Sequence, residues 1–138
     1  MKLADLFEKK NKPNTSKMTA WVILYTEDKL ILGKRAPTVN NPNLWNFFGG
    51  GIDEGESAKE AAVRELEEEV KYKASIGDLK KITQIGDATY FSLKLTGTSG
   101  IKTSDEISGI KGFKLTDLPN NLHSKTANFF NKLDSILK

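Results

Sequence analysis

The chain has no cysteine among its 138 residues. That excludes disulfides and thiolate-held metals, and it fits a reducing compartment. No apolar run is long enough to cross a bilayer, and the amino end lacks a secretory-signal pattern. The expectation is a soluble, cytoplasmic protein without membrane contact. Proline occurs only four times, with none between Pro42 and Pro119. Histidine occurs once, at His123, where a helix should begin, and reads as a structural or surface residue. There is room for one domain with a real core and not for two. Residues 1–138 are therefore read as a single domain, with 1–16 as its lead-in.

Charge is sharply divided along the chain. The net charge is +3, yet residues 53–69 hold eight of the 18 acids against only Lys59 and Arg64. The rest carries a surplus of nine positive charges. A basic exterior around an acidic patch suits a polyanionic substrate, although ordinary solubilising lysines give the same composition. No clustered basic-aromatic motif accompanies those lysines, which argues against nucleic-acid binding.

The acidic stretch centres on Arg64-Glu65-Leu66-Glu67-Glu68-Glu69, directly after Gly49, Gly50 and Gly51. On a helix turning about 100° per residue, Glu68 lies roughly 60° to one side of Glu65 and Glu69 roughly 40° to the other. Like charges so close destabilise a helix unless something neutralises them. Oxygen-only ligands suit Mg²⁺ or Mn²⁺, so the pattern reads as a metal site for phosphate chemistry. Glu67 falls on the opposite side and reads as solvated.

The surrounding pattern predicts alternating elements with no internal repeat. A short helix is expected over residues 3–10, followed by a loop over 11–16. Met18–Tyr25 is an apolar run typical of a strand covered on both faces. Leu30–Arg35 and Trp45–Phe48 read as further strands, separated by the Pro- and Asn-rich loop Ala36–Asn43. Ser57 and Glu60 form a capping box, which starts a helix near Ala58. Its inward stripe is Ala62, Val63, Leu66 and Val70. A strand is expected within Ala74–Ile85. In Tyr90–Leu95, Phe91, Leu93 and Leu95 alternate with Tyr90, Ser92 and Lys94, which should face the other way. A flexible polar loop, Thr96–Asp105, precedes the strand Ile107–Leu115. Leu122, Phe129, Phe130, Leu133 and Ile136 stripe a final helix. The fold class is an α/β/α sandwich with a mixed β-sheet.

The spacing resembles the box of the Nudix hydrolases: Gly, five residues, Glu, seven residues, then Arg-Glu-apolar-x-Glu-Glu-x-Gly-apolar. Gly50, Glu56, Arg64, Glu65, Leu66, Glu68, Glu69 and Tyr72 fall in register, and Lys71 stands where the box has glycine. Upstream, Trp45, Phe47, Gly49 and Gly50 match the family's Trp-x-apolar-Pro-Gly-Gly approach, with Phe48 in place of proline. The resemblance implies the same sandwich fold and metal-dependent cleavage of a phosphoanhydride bond in a small nucleotide. The substrate would be a triphosphate or a nucleoside diphosphate linked to another group. Loss of turnover would instead leave a nucleotide-binding or RNA-interacting module. Many relatives are dimers, so a homodimer is an expected partner.

The implied ligands for Mg²⁺ or Mn²⁺ are Glu65, Glu68 and Glu69 with the Gly49 carbonyl, and Glu56 within reach of the same cluster. Glycine permits that close backbone approach. Arg64 is the organiser, its planar fork holding a carboxylate such as Glu56 or Glu68. Asp53 and Glu54 read as second-sphere groups or as turn chemistry. The general base is Glu106 at the end of the polar loop, with Glu65 and Glu69 as alternatives. Lys34 and Arg35 are candidates for distal phosphates, and Tyr90 for stacking on a base. The substrate signatures of individual subfamilies are only partly matched. Leu32-Gly33-Lys34-Arg35-Ala36 fits the coenzyme A pattern in part, the proline of the ADP-ribose type is missing, and Tyr90 lies near the tyrosine of the dinucleoside polyphosphate type.

Overall fold

The computed structural model describes residues 18–137, with side chains to residue 133. The expected helix over 3–10 and loop over 11–16 lie outside the described residues, as does the side chain of Ile136. Strands β1 (Thr19–Tyr25), β2 (Leu30–Arg35), β3 (Trp45–Asn46) and β4 (Phe48–Gly51) precede helix α1 (Ala58–Val70). Strands β5 (Lys80–Ile85), β6 (Ala88–Lys94) and β7 (Ile107–Phe113) precede helix α2 (Ser124–Leu137).

One strand organises both cores. β1 runs parallel to β6 along its whole length, and its side chains alternate between two hydrophobic clusters. Ala20, Val22 and Leu24 join Phe48, Leu66, Val70 and Phe91 under α1. Trp21 and Ile23 join Phe47, Tyr90, Phe113 and Phe129 on the α2 side. Burial on both faces explains the continuous apolar run of β1. The result is the expected α/β/α sandwich around a seven-stranded mixed sheet.

The sheet forks at the site. β1 and β2 pair only beside their turn, Leu24 with Ile31 and Tyr25 with Leu30. Beyond it they diverge, and the next segment fills the gap in two steps. β3 pairs with β2, whereas β4 pairs with β1 from Thr19 to Val22. A single strand over Trp45–Phe48 is thus replaced by two short ones with different partners. At the junction, the Phe47 N–H donates to Thr126 Oγ1 of α2 at 2.9 Å, and that hydroxyl donates to Asn46 Oδ1. Asn46 and Thr126 are both buried; the contact satisfies the Phe47 N–H that the fork removes from the ladder, while Asn46 Nδ2 has no partner among the described residues. Buried aromatics then brace Phe47, whose ring centroid lies 5.5 Å from Phe129 and 6.1 Å from Tyr90.

Helix α1 begins where the capping box places it. Ser57 Oγ accepts from the Glu60 N–H at 3.1 Å, and Glu60 Oε1 accepts from the Ser57 N–H at 2.9 Å. Such a cap contributes about 1 kcal/mol. Its fully buried apolar residues are Ala61, Ala62, Leu66 and Val70; Val63 is only half-buried. The inward face is rotated toward Ala61, Glu65 and Glu69, which draws Glu69 under the sheet. The helix ends at Lys71, which is left-handed at φ 61° and ψ 27°. In α2, Leu122 precedes the helix and bridges Trp45, so it is not part of the helical stripe.

Candidate active site

Arg64 is the centre of the acidic cluster, and all five of its N–H donors are engaged. Nε and Nη2 grip Glu56 with two bonds, of 2.8 and 3.0 Å. Nη1 donates to Glu65 at 2.9 Å and to Glu68 at 3.2 Å, and Nη2 also reaches the Gly51 carbonyl at 3.0 Å. Glu56 is delivered by a tight turn in which its N–H donates to the Asp53 carbonyl at 3.0 Å and its Oε1 accepts from the Asp53 N–H at 2.9 Å. Glu56, above all, holds the guanidinium in its charged form, despite the opposing effect of burial.

Glu69 is the exceptional carboxylate, at only 3% exposure. Its Oε2 accepts from the Gly49 N–H at 2.9 Å, which couples α1 to β4. Burial first, then a hydrogen bond and the charge of Glu65, push its carboxyl well above the usual carboxylate range. Glu106 adds to that shift by its charge, while the Gly49 N–H opposes it. The glycines are a steric requirement here. A β-carbon on Gly49 would stand 2.1 Å from the Ala20 carbonyl, and one on Gly50 would stand 2.9 Å from the Glu65 carboxyl carbon.

The three expected metal ligands do not converge on one point. Among the described residues no three acidic or histidine side chains form a ready-made cage. The cause is Arg64, which draws Glu65 and Glu68 to itself while Glu69 is held on Gly49. Glu68 remains 54% exposed. Oxygen donors, crowded negative charge and a backbone cradle at Gly50 nevertheless fit a divalent cation.

The NUDIX domain model matches residues 15–133. The chain belongs to the Nudix hydrolase family. A protein of Bacillus subtilis (strain 168), provisionally named an 8-oxo-dGTP diphosphatase, is 35% identical over 104 residues, covering 72% of this chain and 68% of that protein. An RNA pyrophosphohydrolase of Campylobacter jejuni subsp. doylei is 41% identical over 63 residues, which are 46% of this chain and only 38% of that protein. A MutT NUDIX hydrolase from Burkholderia pseudomallei superposes with a TM-score of 0.69 at 20% identity, covering 83% of this chain and 95% of that one. At that identity the likeness concerns the fold.

The remaining candidates of this Nudix hydrolase divide between the site and the core. The Ala36 N–H donates to the Glu106 carbonyl at 2.8 Å, so Glu106 and Arg35 share one end of the β2–β7 pair. Arg35 Nε donates to the Asn40 carbonyl at 2.8 Å, and Lys34 is half-buried in register with Trp45. Tyr90 is removed from the candidates. Its side chain faces the α2 core, fully buried, and its hydroxyl donates to the Lys125 carbonyl at 2.6 Å. Burial pushes that hydroxyl up to about 12. At Tyr90 this face of β6 is covered by α2, which the alternation within β6 does not reveal.

His123 has a structural role at the start of α2. Its Nδ1 accepts from the Lys125 N–H at 3.1 Å and so caps α2. Nε2 lies 3.4 Å from Asn41 Nδ2. Burial, then Arg35 and Lys125, lower its pKa from the ordinary 6.5, which disfavours the charged ring. Thr126 and Asn46 carried no readable signal, because their contact exists only once α2 packs on the fork. No helix among the described residues is long and apolar enough to cross a membrane. A groove of about 600 Å³ beside Tyr25, Leu30, Phe129 and Leu133 lies near the β1–β2 turn, and none of Glu56, Glu65, Glu68 and Glu69 lines it.

Proposed function

We propose that the chain hydrolyses a phosphoanhydride bond of a nucleoside 5′-triphosphate, using a divalent cation held by Glu65, Glu68 and Glu69. The observation that carries this reading is the Glu65–Glu69 pair, whose mutual repulsion is pinned in place by the Gly49 N–H and by Arg64. Structure of this kind, holding like charges together, favours a site that binds positive charge. The Gly49 carbonyl and Glu56 complete the proposed ligand set. Mg²⁺ or Mn²⁺ would neutralise the phosphoryl oxygens and so stabilise the transition state. The triphosphate is favoured by the 8-oxo-dGTP diphosphatase name of the Bacillus subtilis relative, which aligns over 104 residues.

Each residue then has a defined task. Arg64 gathers Glu56, Glu65 and Glu68 around one guanidinium, from which a bound cation would draw Glu65 and Glu68. Glu106 takes a proton from the attacking water as its oxygen bonds to phosphorus, and the bridging P–O bond breaks toward the leaving phosphate. Lys34 and Arg35 offer positive charge to the distal phosphates. The test is a panel of nucleoside triphosphates, 5′-triphosphorylated RNA, ADP-ribose and dinucleoside polyphosphates, with Mg²⁺ or Mn²⁺ and product identification. Turnover of a triphosphate that stops on chelation is the expected result. Tight nucleotide binding without turnover of any compound would overturn it in favour of a silent binding module.

A further inference from the structure

The loop that carries Glu106 was expected to be flexible, but the structure straps it down. The left-handed turn at Lys71 ends α1, and the Val70 carbonyl, the last of the helix, accepts from the Lys102 N–H at 2.9 Å. Ile101, just before, is buried in the core under α1. The Ser104 N–H donates to the Ile107 carbonyl at 3.1 Å, and the Ala36 N–H donates to the Glu106 carbonyl at 2.8 Å. Residues 101–107 are therefore tied to α1 by the Lys102 N–H, to the core by the Ile101 side chain and to Ala36, just after β2, by the Glu106 carbonyl, with the Ser104–Ile107 bond closing a turn within the segment. Glu106 itself is exposed, while its charge is felt by the buried Glu69.

We infer that Ile101 and the backbone N–H of Lys102 are positioning elements that fix the segment bearing Glu106. The inference rests on the reading of Glu106 as the base. One helix, α1, then sets both halves of the reaction geometry: its side chains supply the carboxylates, and its last carbonyl fixes the loop bearing the base. A rigid link of this kind matters because a displacement of about 1 Å at a reacting group can cost about 100-fold in rate. The Lys102 side chain is exposed and has no part in the strap.

Backbone and side-chain contributions are separable by substitution. Lys102→Pro removes the N–H, whereas Lys102→Ala keeps it. Lys102→Pro is expected to lower kcat by about 10- to 100-fold with KM within about twofold, and Lys102→Ala to match the parent. In a Glu106→Gln background the same proline should lower kcat by less than about threefold, because the base it positions is already gone. Full multiplication of the two losses, or a Lys102→Pro enzyme at the parental rate, would overturn the strap. A silent Glu106→Gln in the parent would instead overturn the assignment of the base. Should the proline variant fail to fold, Ile101→Val trims one methyl from the same anchor. It should lower kcat by about threefold or more in the parent and leave the Glu106→Gln rate unchanged; equal losses in both backgrounds would refute the inference.

Discussion

A β-carbon on Gly33 would stand 2.5 Å from Cε1 of Phe48, far inside contact distance. Phe48 occupies the position that the family's approach sequence gives to proline, and it is fully buried. The larger ring at the start of β4 fits because β2 has no side chain opposite it. The two departures from an ordinary strand are one adjustment. Gly33→Ala should therefore destabilise by about 1–3 kcal/mol through overpacking, and Phe48→Leu in the same chain should recover part of that loss. Denaturant midpoints of the two single variants and the double variant measure the coupling. Strictly additive effects would mean that the ring yields freely and that the glycine serves another purpose.

The box helix was legible in the sequence because its signals are local. Ser57, Glu60 and the Ala62-Leu66-Val70 spacing are read along a single helix, and the carboxylate frame follows from its period. The fork was not legible. Trp45–Phe48 reads as one strand because nothing in the four residues says that β2 and β1 diverge there. The burial of Tyr90 is hidden for a related reason: alternation shows which residues share a face, but not that a distant helix covers it. The fixed loop before Glu106 was hidden in the same way, since a Gly/Ser/Thr composition does not disclose the Val70–Lys102 bond.

Lys71 stands in the left-handed conformation that the box glycine adopts without strain. A lysine there costs about 1 kcal/mol, partly offset by its charge beside the negative helix end. Lys71→Gly should raise the unfolding free energy by about 0.5–1 kcal/mol. Turnover should be unchanged, because glycine preserves the turn that frees the Val70 carbonyl. Thermal denaturation alongside a steady-state assay checks both points. A large change in turnover would tie residue 71 to the chemistry and contradict its assignment as a cap.

Glu68 and Glu67 are adjacent in sequence but differ in expected consequence. Glu68 Oε2 accepts from Arg64 at 3.2 Å, whereas Glu67 makes only a long contact of 4.0 Å with Lys73. Glu68→Gln should lower turnover by at least about 100-fold, the scale of a lost electrostatic contribution, with the fold retained. Glu67→Gln should be nearly silent. The comparison is made at saturating Mg²⁺ with thermal midpoints recorded for both. A Glu68→Gln enzyme within about threefold of the parent would remove Glu68 from the ligand set, since lost charge-stabilisation of this kind is not that small.

His123 predicts a pH dependence of stability whose direction follows from its environment. Its folded pKa is lowered from 6.5, first by burial and then by Arg35 and Lys125, so the unfolded chain binds the proton more readily. The contribution of the neutral ring is fully present above the unfolded value and is lost as pH falls through the folded one. Protonation would also remove the Nδ1 acceptor that caps α2 at the Lys125 N–H. His123→Asn keeps an acceptor at a favoured capping residue but cannot titrate. The variant should match the parent at pH 7.5 within about 0.5 kcal/mol and lose less stability than the parent between pH 7 and 5. Parallel stability curves across that window would show that His123 binds its proton equally in the folded and unfolded chain, and that other groups set the acid limb.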